Sequence, residues 1–185
     1  MSAAARVEQT VRAWVASFVV ELDLCPFAKP TLRDATLRIA ICSSTEQQEI
    51  VRCFLVELDH LQNTPEQELV TTLLVYPDAL AGFDDYLDFI DDAQQLTIDA
   101  GLEGMVQLAS FHPKYQFEGE PSDGASHFSN RAPFPIVHLL REDTLERVLS
   151  DYPNPEEIPL RNIGTLEALG VDALTARWQA LFGAK

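Results

Sequence analysis

The spacing of apolar residues along this chain alternates between two periods, and it predicts a series of helices and four short strands. Apolar side chains three and four residues apart are typical of amphipathic helices, whereas a period of two, or a short continuous apolar run, is typical of strands. The predicted helices cover residues 3–23, a stretch that begins after Thr45, then 83–100, 143–150, 165–169 and 172–182. The predicted strands are 37–43, 70–76, 105–112 and 134–140.

Three local signals refine this pattern. Pro26 ends the first helix, because the residue before a proline is disfavoured in helical geometry, and this leaves Cys25 in a helix-exit turn. In the third helix, Leu87 and Ile98 are predicted to belong to the buried apolar stripe. Residues 151–159 contain three prolines, which predicts an extended segment along the surface.

The order of the elements is typical of the α/β class. Two successive strand–helix–strand units predict three parallel strands with right-handed crossovers, in a small mixed sheet of about four strands with helices packed on it. An N-terminal helix and a helical C-terminal tail complete the expected fold. A length of 185 residues with 46% hydrophobic residues is enough for one core, so we expect a single domain over 1–185.

The direction of the fourth strand decides which polar residues meet. We expect an antiparallel strand, because the connection before it shows no helical pattern. That arrangement brings Asn130 and Arg131 beside His112, places His138 in mid-strand and sends Arg141 to the far edge. The alternative is a parallel strand, which would instead bring His138 and Arg141 to His112.

The long connection between the third and fourth strands is the predicted site. It is rich in glycine, serine, proline and aromatic residues, and long irregular connections in compact domains are usually functional or disordered. Its aromatic content disfavours disorder. Tyr115 and Gln116 follow His112 closely enough to line one pocket with it, and residues 119–126 are expected to form a mobile lid.

The histidines and Arg131 are the residues best suited to acid–base chemistry and anion binding. His112 ends the third strand, at the edge where open sheets built from strand–helix–strand units bind ligands. It would act as an acid, a base or a ligand, or else be a structural histidine bonded to a backbone carbonyl. Arg131 lies among aromatic and proline residues, a setting in which a guanidinium holds a carboxylate or phosphate firmly, although a salt bridge is the alternative. His138 alternates with apolar residues, so it is either a hydrogen-bonded core histidine or part of the pocket.

Cys25 is the candidate nucleophile, paired with His112. The end of a helix is the wrong place for lowering a thiol pKa, so this role depends on a nearby His112 or Arg131. Cys42 and Cys53 are expected to fill the core. Cys25, His112 and His138 could make a three-ligand metal site, but their spacing neither supports nor excludes one, and none is predicted.

Charge and composition exclude several classes of function. A net charge of −16 and a pI near 4.4 make nucleic-acid binding improbable, because that affinity comes largely from lysine and arginine. No apolar run approaches the roughly 20 residues of a membrane span, and the N-terminus lacks the apolar centre of a signal peptide, so we expect a cytoplasmic protein. An odd number of cysteines without a CxxC motif disfavours a disulfide framework or zinc finger. No phosphate-binding loop, dinucleotide fingerprint or serine-hydrolase motif is present.

Four stretches of the chain resemble one family. LCPFA at 24–28, FHPKYQF at 111–117, SNRAPFPIVHLLRE at 129–142 and RNI at 161–163 are similar to a bacterial family of about this length that is known only as a domain of unknown function. The resemblance implies a cytoplasmic bacterial protein, without implying an activity, a cofactor or a partner. The polar positions that it shares are Cys25, His112, Tyr115, Gln116, Asn130, Arg131, His138, Arg141 and Asn162.

The chain departs from the family in one loop. Where relatives read closer to NYTNRSPYP, this chain has HFSNRAPFP at 127–135. Phe128, Ala132 and Phe134 therefore lack hydroxyl groups that relatives carry, so those hydroxyls are poor candidates for essential chemistry. Asn130 and Arg131 keep their places.

Three functions follow as hypotheses. The first is an enzyme acting on a small anionic molecule, with His112 and Cys25 as catalytic groups and Tyr115, Gln116, Asn130, Arg131, His138 and Arg141 binding the ligand. The second is a non-enzymatic module that binds a metal, a cofactor or a protein. The third is purely structural, with the polar residues holding the long loop in place. Neither a particular cofactor nor an oligomeric state follows from the sequence.

Overall fold

A computed structural model describes residues 2–183 of the chain as seven α-helices, two short 3₁₀ helices, one π-helical turn and four strands. The helices are α1 (Ala3–Trp14), α2 (Ala28–Arg33), α3 (Gln47–Asn63), α4 (Phe83–Asp99), α5 (Glu142–Ser150), α6 (Ile158–Leu169) and α7 (Val171–Gly183). The strands are β1 (Leu37–Ile41), β2 (Thr71–Val75), β3 (Val106–Phe111) and β4 (Ile136–Arg141). Within the described residues, none of these helices is long and apolar enough to cross a membrane.

The four strands form one open mixed sheet with the order β1-β2-β4-β3. β1 and β2 are parallel, and β4 lies between β2 and β3 and is antiparallel to both. The prediction of an antiparallel fourth strand is therefore confirmed, as is the α/β class. The expectation of three parallel strands is not confirmed, because β4 separates β3 from β2 and leaves one parallel pair.

Helices cover both faces of the sheet. α1 packs against the face that carries Leu37 and Leu73, and α6 and α7 belong to the same apolar core, whereas α3 and α4 pack against the opposite face. This division follows from the strand period of two, which sends alternate side chains to opposite faces. The buried stripe of α3 includes Phe54 and Leu58, which are 0% and 2% exposed. The sheet is thus the central layer of three.

The N-terminal helix ends earlier than its apolar spacing predicts. α1 continues as a π-helical turn over Val15–Val20, in which the Glu21 N–H donates to the Ala16 carbonyl at 3.0 Å. The chain then turns at Asp23, which has a left-handed φ of 52°, and starts the short helix α2. Pro30 does not prevent α2, because it lies in the first turn, where no helical N–H donor is needed.

The C-terminal tail is more helical than its prolines predict. The expectation of an extended segment over 151–159 is wrong for its second half, where Pro155 begins a 3₁₀ helix and Pro159 lies in the first turn of α6. Proline is favoured at such positions, since its fixed φ suits a helix and its missing N–H is not required. The prolines therefore mark where helices begin.

The buried face of α4 is rotated from the predicted stripe. Leu87 and Ile98 are 38% and 40% exposed, whereas Tyr86 and Ala93 are fully buried. The reason lies in a hydrogen bond that apolar spacing cannot show. The Tyr86 hydroxyl donates to the Ile136 carbonyl at 2.6 Å and accepts the Phe111 N–H at 2.9 Å, so the ring is held between β3 and β4.

Arg141 holds the end of β4 to the end of α3. Its guanidinium donates to the backbone carbonyls of Leu61, Thr64 and Leu69, and the side chain is half-buried. The carbonyls of Leu61 and Thr64 lie at the C-terminal end of α3, where the helix dipole favours a positive charge. The carbonyl of Leu69 belongs to the connection between α3 and β2. Arg141 lies at the far edge of the sheet, as the antiparallel strand predicts, and its guanidinium is bonded to backbone carbonyls there.

We expect Arg141→Met to lower the free energy of unfolding by about 2–3 kcal/mol, because three carbonyls lose a charged donor while the apolar stem is kept. Urea unfolding measures the change. Arg12→Met is the matched control, since Arg12 forms an exposed ion pair with Glu8 one helical turn away and should change stability by less than about 0.5 kcal/mol. Equal effects of the two substitutions would contradict the structural role of Arg141.

Candidate functional site

An apolar cavity of about 170 Å³ lies between the sheet and the N-terminal helical segment. The sheet face with β1, β2, β3 and β4 forms one wall, and the end of α1, the π-helical turn and α2 form the other. The polar side chains that line it are Cys25, Thr31, Thr71 and His138, and no charged side chain of the described residues does so. Apolar cavities of about this size can hold a benzene-sized molecule.

The strand register explains why space remains beside His138. Its direct neighbours across the sheet are Leu73 on β2 and Ala109 on β3. All three face the cavity, and the single methyl group of Ala109 leaves room beside the imidazole. Val15 and Val19 of the π-helical turn line the opposite wall. The cavity therefore depends on one small residue and on one irregular helical turn.

The hydrogen bonds of His138 define its tautomer. Its Nε2 lies 2.7 Å from the Thr71 hydroxyl, and that hydroxyl donates to the Leu139 carbonyl, also at 2.7 Å. Because Thr71 has a single hydroxyl proton and uses it on Leu139, Nε2 of His138 must carry a proton and donate. Nδ1 is then an acceptor, and it has no hydrogen-bond partner within residues 2–183.

Burial keeps the His138 imidazole neutral. It lowers the pKa of His138 to about 4, because the charged form cannot be solvated there. The side chain is nevertheless only half-buried by its accessible surface, and that remaining surface lines the cavity. At neutral pH the cavity wall thus presents one neutral acceptor nitrogen in an apolar surrounding.

Cys25 lies between the π-helical turn and α2, at the exit of the N-terminal helical segment as predicted. The backbone N–H groups of Phe27 and Ala28 face its sulfur and favour the thiolate. Burial is the larger effect and raises the pKa of the Cys25 thiol. Cys25 lines the cavity on one side and, on the other, an outer cleft of about 550 Å³ that contains Lys29 and Tyr152.

These protonation states suit hydrogen bonding better than nucleophilic catalysis. Activation of Cys25 by His138 would move a proton from a thiol whose pKa is raised to an imidazole with a pKa of about 4, which is uphill by several kcal/mol. A neutral thiol and a neutral imidazole can instead donate and accept hydrogen bonds within the cavity.

His112 does not line this cavity. It is fully buried between the rings of Phe83 and Tyr86, with ring centroids 5.2 and 5.0 Å away. Its Nε2 donates to the Leu80 carbonyl at 3.0 Å, and its Nδ1 accepts the Lys114 N–H at 3.0 Å. Both nitrogens are therefore bonded to backbone groups. This arrangement agrees with the alternative hypothesis that His112 is a structural histidine.

His127, which sequence reasoning did not select, has the same arrangement. Its Nδ1 accepts the Phe117 N–H at 3.1 Å and its Nε2 donates to the Pro121 carbonyl at 2.7 Å. The segment expected to form a lid is thereby tied to a buried imidazole. The clue available in the sequence was a histidine inside a long loop, where backbone groups need partners.

The other predicted ligand-binding residues also serve the loop. Arg131 donates from Nε to the Tyr115 carbonyl at 3.2 Å, and its guanidinium lies 4.9 Å from the centre of the Phe128 ring. Asn130 donates to the Ser110 carbonyl at 3.1 Å. Gln116 is exposed. The structure thus brings Cys25 and His138 together, and it separates them from His112, Arg131 and Arg141.

No metal site follows from the described part of the chain. Within residues 2–183, no group of three or more histidine, cysteine, aspartate or glutamate side chains is close enough to hold a metal ion. The acidic residues of α4 are exposed to solvent. They are Asp84, Asp85, Asp88, Asp91, Asp92 and Asp99.

Residues 6–176 match the family described as Protein of unknown function (DUF1415), and the chain therefore belongs to this family. The predicted resemblance to a domain of unknown function is confirmed. No curated protein and no solved structure matches the chain.

The burial of His138 predicts a pH dependence of stability. Its pKa is about 4 in the folded protein and near 6.5 in an unfolded chain, so between these values the unfolded state binds more protons. The free energy of unfolding should therefore fall as the pH decreases from 6.5 towards 4, with about 3 kcal/mol of the loss due to His138.

Urea unfolding of the wild type and of His138→Gln across this pH range isolates that contribution, because glutamine does not titrate. The variant should lose less stability on acidification. His60→Gln is the matched control, because it makes the same substitution at an exposed position. Identical slopes for the wild type and His138→Gln would contradict the buried, neutral state of His138.

Proposed function

We propose that this protein binds one small, uncharged and mainly apolar molecule in the cavity between the sheet and the N-terminal helical segment. The molecule would carry one hydroxyl or N–H group that donates a hydrogen bond to Nδ1 of His138. The observation that carries this proposal is the unpartnered Nδ1 of His138, a residue that lines a cavity of about 170 Å³. We also propose, from the family resemblance, that this role belongs to the cytoplasm of a bacterium.

The composition of the cavity wall supports an uncharged ligand. Small-molecule sites are mostly apolar, with a few polar groups that fix the orientation of the ligand. Here those groups are the His138 imidazole and the Cys25 thiol, and neither can neutralise a negative charge. The small anionic molecule expected from the sequence would need a cation, and Arg131 instead donates to backbone carbonyls of the long loop.

The hydrogen bond also gives the ligand a direction. An unpaired acceptor in an apolar cavity is unfavourable, and a ligand donor removes that cost while the rest of the ligand replaces empty space. A phenol or an indole has the right combination of one donor and an apolar ring. An enzymatic role for Cys25 remains a prediction that this arrangement does not require.

We expect the affinity ratio of phenol to toluene to fall about 3- to 10-fold in His138→Leu, which corresponds to the loss of one hydrogen bond. Leucine keeps an apolar side chain of similar size and removes the acceptor. Isothermal titration of both ligands against both proteins provides the ratio, and His60→Leu serves as the control at an exposed position. If both ligands bind and the ratio stays constant, Nδ1 is not the acceptor; if neither binds the wild type, the cavity is not a ligand site.

We expect Ala109→Val to weaken phenol binding at least tenfold, because the added methyl groups occupy the space beside His138. Gln107→Val is the matched control. It introduces the same residue on the same strand and face, but Gln107 is exposed and does not line the cavity. Unchanged affinity in Ala109→Val would place the ligand elsewhere.

A further inference from the structure

Two further thiols, Cys42 and Cys53, lie on the face of the sheet opposite to Cys25. Cys42 directly follows β1, and its backbone N–H donates to the Val75 carbonyl at 2.9 Å. Cys53 lies on α3, and both residues pack in the core between the sheet, α3 and α4. Both are free thiols. The sequence predicted only that they fill the core, but their positions also allow the two thiols to react with each other.

The two sulfur atoms converge on one turn of α3. The Cys42 Sγ lies 3.9 Å from the Glu49 carbonyl oxygen, to which it donates. Glu49 precedes Cys53 by four residues, and helical side chains lean towards the N-terminus, so the Cys53 side chain covers the same turn. Cys42 also lies near enough to raise the pKa of the Cys53 thiol. The two thiols therefore lie at the same turn of α3.

The two thiols differ in exposure, and this difference assigns their order of reaction. Cys42 is 2% exposed, whereas Cys53 is half-buried and meets a reagent first. The Arg52 guanidinium favours the Cys53 thiolate, but burial and the contact with Cys42 outweigh it and raise the pKa of Cys53. Because the thiolate is the reactive form, exchange should accelerate as the pH rises.

We propose that Cys42 and Cys53 form a dithiol that small disulfides oxidise to an intramolecular disulfide. The Cys53 thiolate attacks one sulfur of a disulfide R–S–S–R, which breaks that S–S bond, forms a mixed disulfide on Cys53 and releases one R–S⁻. The Cys42 thiolate then attacks the Cys53 sulfur and releases the second R–S⁻. The two protons lost by the protein end on two R–SH molecules, and the two electrons lost by the protein reduce the reagent.

The test uses 2-hydroxyethyl disulfide, an uncharged reagent that a protein of net charge −16 does not repel. We expect the wild type to acquire a bond between Cys42 and Cys53, seen by mass spectrometry of non-reduced peptides. The reaction should be faster at pH 9 than at pH 7. A wild type that keeps both thiols, or that carries only mixed disulfides on them, would overturn the proposal.

Single substitutions test the order of attack. Cys42→Ala should stop at one mixed disulfide on Cys53, and Cys53→Ala should leave Cys42 unmodified, because Cys42 is buried. Cys25→Ala is the matched control and should still form the Cys42–Cys53 bond. Modification of Cys42 in Cys53→Ala would contradict the assigned order of attack. The peptide analysis of the wild type does not depend on the folding of any variant.

Discussion

Backbone groups of the long loop between β3 and β4 need hydrogen-bond partners wherever the loop is buried, because an unpaired buried amide is costly. Two imidazoles and one guanidinium supply them. His112 and His127 each accept one backbone N–H and donate to one carbonyl, and Arg131 donates to carbonyls on the same loop. These bonds fix the conformation of the loop, and β4 follows it and lies between β2 and β3. This position of β4 places His138 on the cavity wall.

The shared polar residues therefore divide into two groups with different tasks. One group, with His112, Asn130 and Arg131, bonds to backbone and shapes the loop. The other consists of His138 and Cys25, which face a cavity and retain hydrogen-bonding capacity. A family resemblance cannot separate these groups, since structural and ligand-binding residues are retained alike. Only the partner of each nitrogen or sulfur distinguishes them.

Much of the fold could be predicted from apolar spacing, and most of the site could not. Every predicted strand is present, and the direction of β4 followed from a connection without helical character. The buried face of α4 could not be predicted, because the Tyr86 hydroxyl bonds to two distant strands. The hydrogen bond between His138 and Thr71 depends on the register of β4 against β2. Alternation of apolar and polar residues predicts which face of the sheet a side chain lies on, but not which residue of the next strand lies beside it.

The π-helical turn has a consequence for how the cavity can change. Each residue of a helix rotates the chain by about 100° around the helix axis. Deletion of one residue from Val15–Val20 would therefore rotate the residues between the deletion and α2 to another side of the helix. The width of the cavity thus depends on the number of residues in the π-helical turn as well as on the size of their side chains. Insertions and deletions at this turn would therefore change the shape of the cavity more than point substitutions would.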